Sequence, residues 1–131
     1  MVENCTRDWN TKMDVLIFRD QALNPDKLVG RIDERGKVYD LEGGRDRLIG
    51  SVYYEDGEVY DGENMLLGWI EEEGTIVRFF NDENIKVGFI TPDGEIYGYD
   101  EDEQVVCRGR VTGLQDNIEG AAAMLFFFNE D

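Results

Sequence analysis

The chain contains no histidine, and its only serine is Ser51. A Ser-His-Asp triad, a Cys-His dyad and any histidine-ligated zinc or haem site therefore cannot be assembled from its 131 residues. Its two cysteines, Cys5 and Cys107, form no CxxC pair, which leaves a disulfide framework or a metal knuckle without support and reduced thiols as the expectation. Positive charge is scarce: 13 Lys and Arg stand against 30 Asp and Glu, a net charge of −17. Such a surface repels nucleic-acid phosphate and anionic lipid, so neither nucleic acid nor membrane is expected as a partner. Long apolar runs are missing too. The longest, Ala121 to Phe128, is far short of the roughly 20 residues of a membrane span, and Met1 to Asp14 holds no apolar signal core, so a cytoplasmic location is expected.

What is present argues for one folded domain over residues 1–131. Hydrophobic residues make up 41% and aromatics 11%, more than a chain kept open by its charge carries. An aliphatic-Gly-x-[Ile/Val] unit recurs as Val29-Gly30-Arg31-Ile32, Ile49-Gly50-Ser51-Val52, Leu67-Gly68-Trp69-Ile70 and Val87-Gly88-Phe89-Ile90, with a fainter copy at Arg108-Gly109-Arg110-Val111. The period of about 20 residues is one β-hairpin long.

Each full unit contains a turn: Glu34-Arg35-Gly36, Glu55-Asp56-Gly57, Glu72-Glu73-Gly74 and Pro92-Asp93-Gly94. Three-residue loops set Ile32 against Val38, Ile70 against Ile76 and Ile90 against Ile96. A four-residue loop, Tyr54 to Gly57, sets Val52 against Val59. Counting back by twos turns the repeat glycines inward, with Leu28, Leu48, Leu66 and Cys107 on the same face, so Cys107 reads as a buried core thiol. Inward positions without a side chain imply strands converging on an axis.

The fold class expected is all-β: a closed radial arrangement of hairpins near 28–41, 48–61, 66–78 and 86–98. The N- and C-terminal apolar segments, 14–19 and 107–128, close the ring as strands, and residues 1–12 are expected to be loosely ordered. Ala, Met and Leu leave a helix open for 120–125, but three consecutive phenylalanines favour strand.

These residues carry a resemblance. The Gly-x-[Ile/Val] hairpin unit, the acidic turn followed by a short strand such as Glu58-Val59-Tyr60-Asp61, and the run Gly120-Ala121-Ala122-Ala123 leading to Phe126-Phe127-Phe128 resemble the bacterial β-flower proteins, four-fold and five-fold, over residues 14 to 128. The resemblance implies hairpins around a central apolar stalk. It implies no assigned activity and no catalytic residues. Lys86, where an inward aliphatic is expected, and the long stretch Thr112 to Glu119 depart from the pattern.

No catalytic, cofactor-binding or metal-binding residues are assigned, and no cofactor is expected. Glu71-Glu72-Glu73 and Asp100 to Glu103 fall at tips and connections, where acids keep a β protein soluble, and a calcium loop begun at Asp100 has Val105 at its sixth position where glycine is required. The candidate interaction surface is the outward aromatic set Tyr39, Tyr53, Trp69, Phe89 and Tyr97. The function expected is a non-enzymatic structural or protein-interaction module that associates with itself or with another protein. The alternative is a small-ligand or carbohydrate binder using the same aromatic face.

Overall fold

In a computed structural model that describes residues 14–20 and 26–128, ten antiparallel strands close into a barrel. They are β1 Val15–Arg19, β2 Lys27–Ile32, β3 Lys37–Asp40, β4 Arg47–Tyr53, β5 Glu58–Asp61, β6 Leu66–Ile70, β7 Thr75–Phe80, β8 Glu83–Ile90, β9 Glu95–Tyr99 and β10 Val105–Thr112. Four hairpins follow in sequence, β2–β3, β4–β5, β6–β7 and β8–β9. The fifth is made through space, where β10 pairs with β1 from Leu16 against Thr112 to Arg19 against Gly109. The expected segment 1–12 lies outside the described residues.

Turn chemistry and inward pairs act as the sequence indicates. Ile32 faces Val38, Val52 faces Val59, Ile70 faces Ile76 and Ile90 faces Ile96, with Ile17 opposite Val111 in the fifth hairpin. Gly36 and Gly74 take φ of 86° and 92°, closing loops that a Cβ would strain. Each tip is also tied to the next hairpin: the carbonyls of Gly36, Gly57, Gly74 and Gly94 accept the N–H of Val52, Ile70, Ile90 and Val111 at 2.8–3.0 Å. These bonds satisfy backbone groups that a free-standing hairpin leaves open, and they fix the angle between neighbours.

Two expectations are corrected. The run 120–128 is not a strand. It forms helix α1, Ile118–Ala123, which continues as a π-helical segment, Met124–Phe128, through the middle of the ring. The ring is closed by β10 instead, so the long stretch after Thr112 is the crossover from the wall to the axis. Ala121, Ala122 and Ala123 are wholly buried, as the small residues of a helix enclosed on all sides must be.

The second correction concerns the face count. Every strand that bears a repeat glycine has one extra residue immediately before it: Gly30 opposes Ile17 while Leu28 opposes Phe18, and the same skip occurs at Ile49, Leu67, Val87 and Arg108. Each is a β-bulge, and beyond it the alternation of faces reverses. Leu28 and Leu48 are consequently 40% and 55% exposed, and Cys107 is an exposed thiol, not a core one. Val29, Ile49, Leu67 and Val87, the bulge residues themselves, pack on the core. Lys86 is no longer a departure, because the bulge at Val87 returns it to the outside beside Val77.

The glycines do face inward, and the central helix explains them. A Cβ on Gly88 would meet Met124, on Gly68 Leu125, on Gly50 Phe126, on Gly30 Phe127 and on Gly109 Phe128. Five consecutive helix residues thus address five hairpins in turn. Even division of a circle asks for about 72° per residue, well short of the 100° of an α-helix with its 3.6 residues per turn. The wider π winding comes closer to that angle, which accounts for a helix type that is rare elsewhere. At the base, Arg19 Nη2 donates to the Phe127 carbonyl at 3.1 Å, a cation where the helix leaves carbonyls unpaired.

Candidate functional site

Because the helix fills the axis, chemistry is left to the rims and the outer wall. At the rim where α1 enters, Glu119 is the one fully buried charged residue among those described. Its carboxylate accepts the Tyr54 hydroxyl at 2.6 Å and the backbone N–H of Gln115 and Asp116 at 2.7 and 3.2 Å. Burial, and then the bond to Glu119, push the Tyr54 phenol well above its ordinary pKa, so it remains a donor. The arrangement fastens the crossover to the tip of the second hairpin. Beside it lies a cleft of about 260 Å³ lined in part by Asp33, Glu34 and Asp116.

At the opposite end a recess of about 160 Å³ brings Cys107 beside Arg19, Asp20 and Arg108. Its partial burial in this recess, then the charge of Asp20, push the thiol pKa up. Several of the remaining carboxylates are occupied locally. Asp33, Asp61 and Asp100 each accept two backbone N–H groups of their own turns at 2.8–3.0 Å. Among the described residues no group of three or more Asp, Glu or Cys is placed to hold a metal ion, and no helix is long and apolar enough to cross a membrane.

The outer wall is the region that differs from hairpin to hairpin. The residue after each repeat glycine faces outward, and in the five hairpins it is Arg31, Ser51, Trp69, Phe89 and Arg110. In the first hairpin Arg31 lies over the Tyr39 ring, 4.1 Å from its centre, with ion pairs of 2.6 Å to both Asp14 and Asp46. In the fifth, Arg110 lies 4.7 Å over Phe18 and 2.7 Å from Asp26. Ring, guanidinium and carboxylate form one unit in each case.

The three hairpins between them carry rings on rings. Tyr53 meets Tyr60 edge-on at 4.9 Å, Trp69 lies 6.3 Å from Phe79, and Phe89 stacks on Tyr97 at 5.3 Å. Carboxylates border them: the Tyr60 and Tyr97 hydroxyls donate to Glu58 at 2.7 Å and Glu95 at 2.9 Å, and Glu58 stands opposite Trp69 in the sheet.

Of the five wall residues singled out in the sequence, all face outward. Tyr53, Trp69, Phe89 and Tyr97 share one band, whereas Tyr39 is covered by Arg31 and stands apart. Trp69 and Phe89 each have a partner of their own. Tyr60 and Phe79 belong to the same band, as do Glu58 and Glu95, which the sequence did not single out. Their signal was register, since Tyr60 and Tyr97 sit opposite Ser51 and Phe89 just as Tyr39 sits opposite Arg31. No family model, curated protein or solved structure matches the chain.

Proposed function

We propose that the protein is a non-enzymatic interaction module whose plugged ring is a scaffold and whose working surface is the outer wall of the second, third and fourth hairpins. The observation that carries this reading is the band of three aromatic pairs across adjacent hairpins on an otherwise acidic molecule. Aromatic rings held by strands offer contact area at low entropic cost, which is why they anchor protein interfaces. The filled axis gives no support to a cargo-carrying barrel. The occupant is another protein or a second copy of the chain.

Light scattering over a range of concentrations, with and without candidate polypeptides, tests the reading. Association, with itself or with a polypeptide, is expected to weaken for Trp69→Ala and Phe89→Ala. Association that ignores both substitutions, or selective thermal stabilisation by one glycan or by choline instead, would replace it with the small-ligand alternative.

A further inference from the structure

Two of the five hairpins have an outward ring that an arginine of the chain itself covers. In the first and fifth hairpins an outward ring, a nearby carboxylate and an arginine complete a unit: Tyr39 and Phe18 are the rings, Asp46 and Asp26 the carboxylates, Arg31 and Arg110 the cations. In the second and fourth hairpins ring and carboxylate recur as Tyr60 with Glu58 and Tyr97 with Glu95, and Trp69 faces Glu58 from the third. Among the described residues no guanidinium lies over Tyr60, Trp69, Phe89 or Tyr97, and Arg78 is placed over Phe80 at the base of the third hairpin instead. Ser51 stands opposite Tyr60 where Arg31 stands opposite Tyr39.

Charge follows the same division. Residues 14–51 hold seven Lys and Arg against eight Asp and Glu, whereas residues 52–107 hold two against sixteen, a net charge of −14 on the part of the chain between Ser51 and Arg108. Two copies brought together by this face repel, and a cationic partner is drawn to it.

We infer that the outer wall of the second to fourth hairpins binds an arginine-bearing segment of another protein, whose guanidinium groups take over the rings the place Arg31 and Arg110 hold in their own hairpins. This rests on the reading of the wall as an interaction surface. Arginine is favoured over lysine because its flat fork covers a ring while bonding a carboxylate with two parallel donors. Neighbouring hairpins repeat every two strands, about 9–10 Å at ordinary strand spacing. An extended chain rising about 3.1 Å per residue brings every third side chain round at that pitch.

The probe is a labelled twelve-residue peptide with arginine at every third position, measured by fluorescence anisotropy against its lysine counterpart and against an isomer with the four arginines adjacent. The spaced arginine peptide is expected to bind tightest. Tyr60→Leu, Trp69→Leu and Phe89→Leu, which keep an apolar side chain and remove the ring face, are each expected to weaken it about two- to five-fold. Ser51→Arg, which supplies the second hairpin with its own cation, is expected to weaken binding without loss of thermal stability. Equal affinity for all three peptides, unaltered by the leucine variants and abolished by moderate salt, would reduce the effect to nonspecific attraction and overturn the inference. Self-association that Trp69→Leu disrupts, with no peptide bound, would also overturn it while leaving the wall an interaction surface. Neither behaviour at the wall would remove both.

Discussion

The inner and outer faces of the same ten strands follow opposite rules. Inside, the five hairpins present nearly the same thing: a pair of branched aliphatics, a glycine and, in four of five, a bulged aliphatic, all shaped to one helix residue each. Outside, the residue after the glycine runs Arg, Ser, Trp, Phe, Arg, with ion pairs concentrated between β10 and β4 and uncovered ring pairs between β4 and β9. Uniformity inside is what closing a ring around one axis demands. Variation outside is free of that demand, so the wall is where the hairpins become distinguishable.

The difference breaks most readily from the inside. In Gly68→Ala the new methyl group meets the Val77 carbonyl as well as Leu125, and backbone cannot yield as a side chain can. A loss of about 3 kcal/mol is expected, at the upper end of overpacking costs, and urea unfolding measures it. Phe126→Ala, which empties the axis beside Gly50, is expected to cost about 3–5 kcal/mol. Similar losses are required at Gly50, Gly88 and Gly109, where a backbone carbonyl also stands in the way of a new methyl group; a hairpin among these that tolerates the change is not part of the same axis.

Next comes the fastening of the crossover. Tyr54→Phe removes one donor from the buried Glu119 carboxylate and is expected to cost about 1–3 kcal/mol. The wall should behave otherwise. Trp69→Ala combined with Phe89→Ala is expected to lower the melting temperature only modestly while association falls, and a collapse of the fold would show these rings to be core.

Smaller still are the effects of charge. Added neutral salt should raise the melting temperature by screening the −14 sector, and a fall would mean that the ion pairs between β10 and β4 outweigh that repulsion. For acid the sign is fixed by Asp33 and Asp40. Burial works against both carboxylates, but N–H donors of their own turns, with Arg35 and Arg47, outweigh it and hold their pKa values below the ordinary one. Their stabilisation is complete above the ordinary carboxylate pKa and is lost as pH falls through the lowered values. Replacing both with Asn should flatten the acid limb of a melting-temperature profile while leaving the neutral plateau little changed in shape.

The tips and the inner pairs were legible because they are written in local chemistry: Pro92-Asp93-Gly94 specifies its turn, and Ile90 with Ile96 specifies a shared face. The bulges were not, because an extra residue before Gly30 or Gly109 leaves no mark in composition, and every face count carried past it is inverted. That single omission misplaced Leu28, Leu48, Leu66 and Cys107 together. Ala121 to Phe128 is apolar all round, and such a segment fits a buried strand and a buried helix equally until its surroundings are known; five converging glycines make the choice. For the wall, the outward direction of Tyr39, Tyr53, Trp69, Phe89 and Tyr97 followed from alternation, whereas the pairing of Trp69 with Phe79 and the covering of Tyr39 by Arg31 depend on cross-strand register.

One helix residue fitted to each hairpin is the relation on which the rest depends, and a double-mutant cycle between Gly30 and Phe127 measures it. Here a new Cβ meets the Phe127 ring first, with the Tyr39 carbonyl only at 3.0 Å, so relief is possible. Gly30→Ala alone should destabilise by about 1–3 kcal/mol, and much of that loss should vanish in the presence of Phe127→Leu, a coupling of at least about 1 kcal/mol, while Gly30→Ala with Phe126→Leu should couple weakly. Additivity within about 0.5 kcal/mol for the first pair would contradict it.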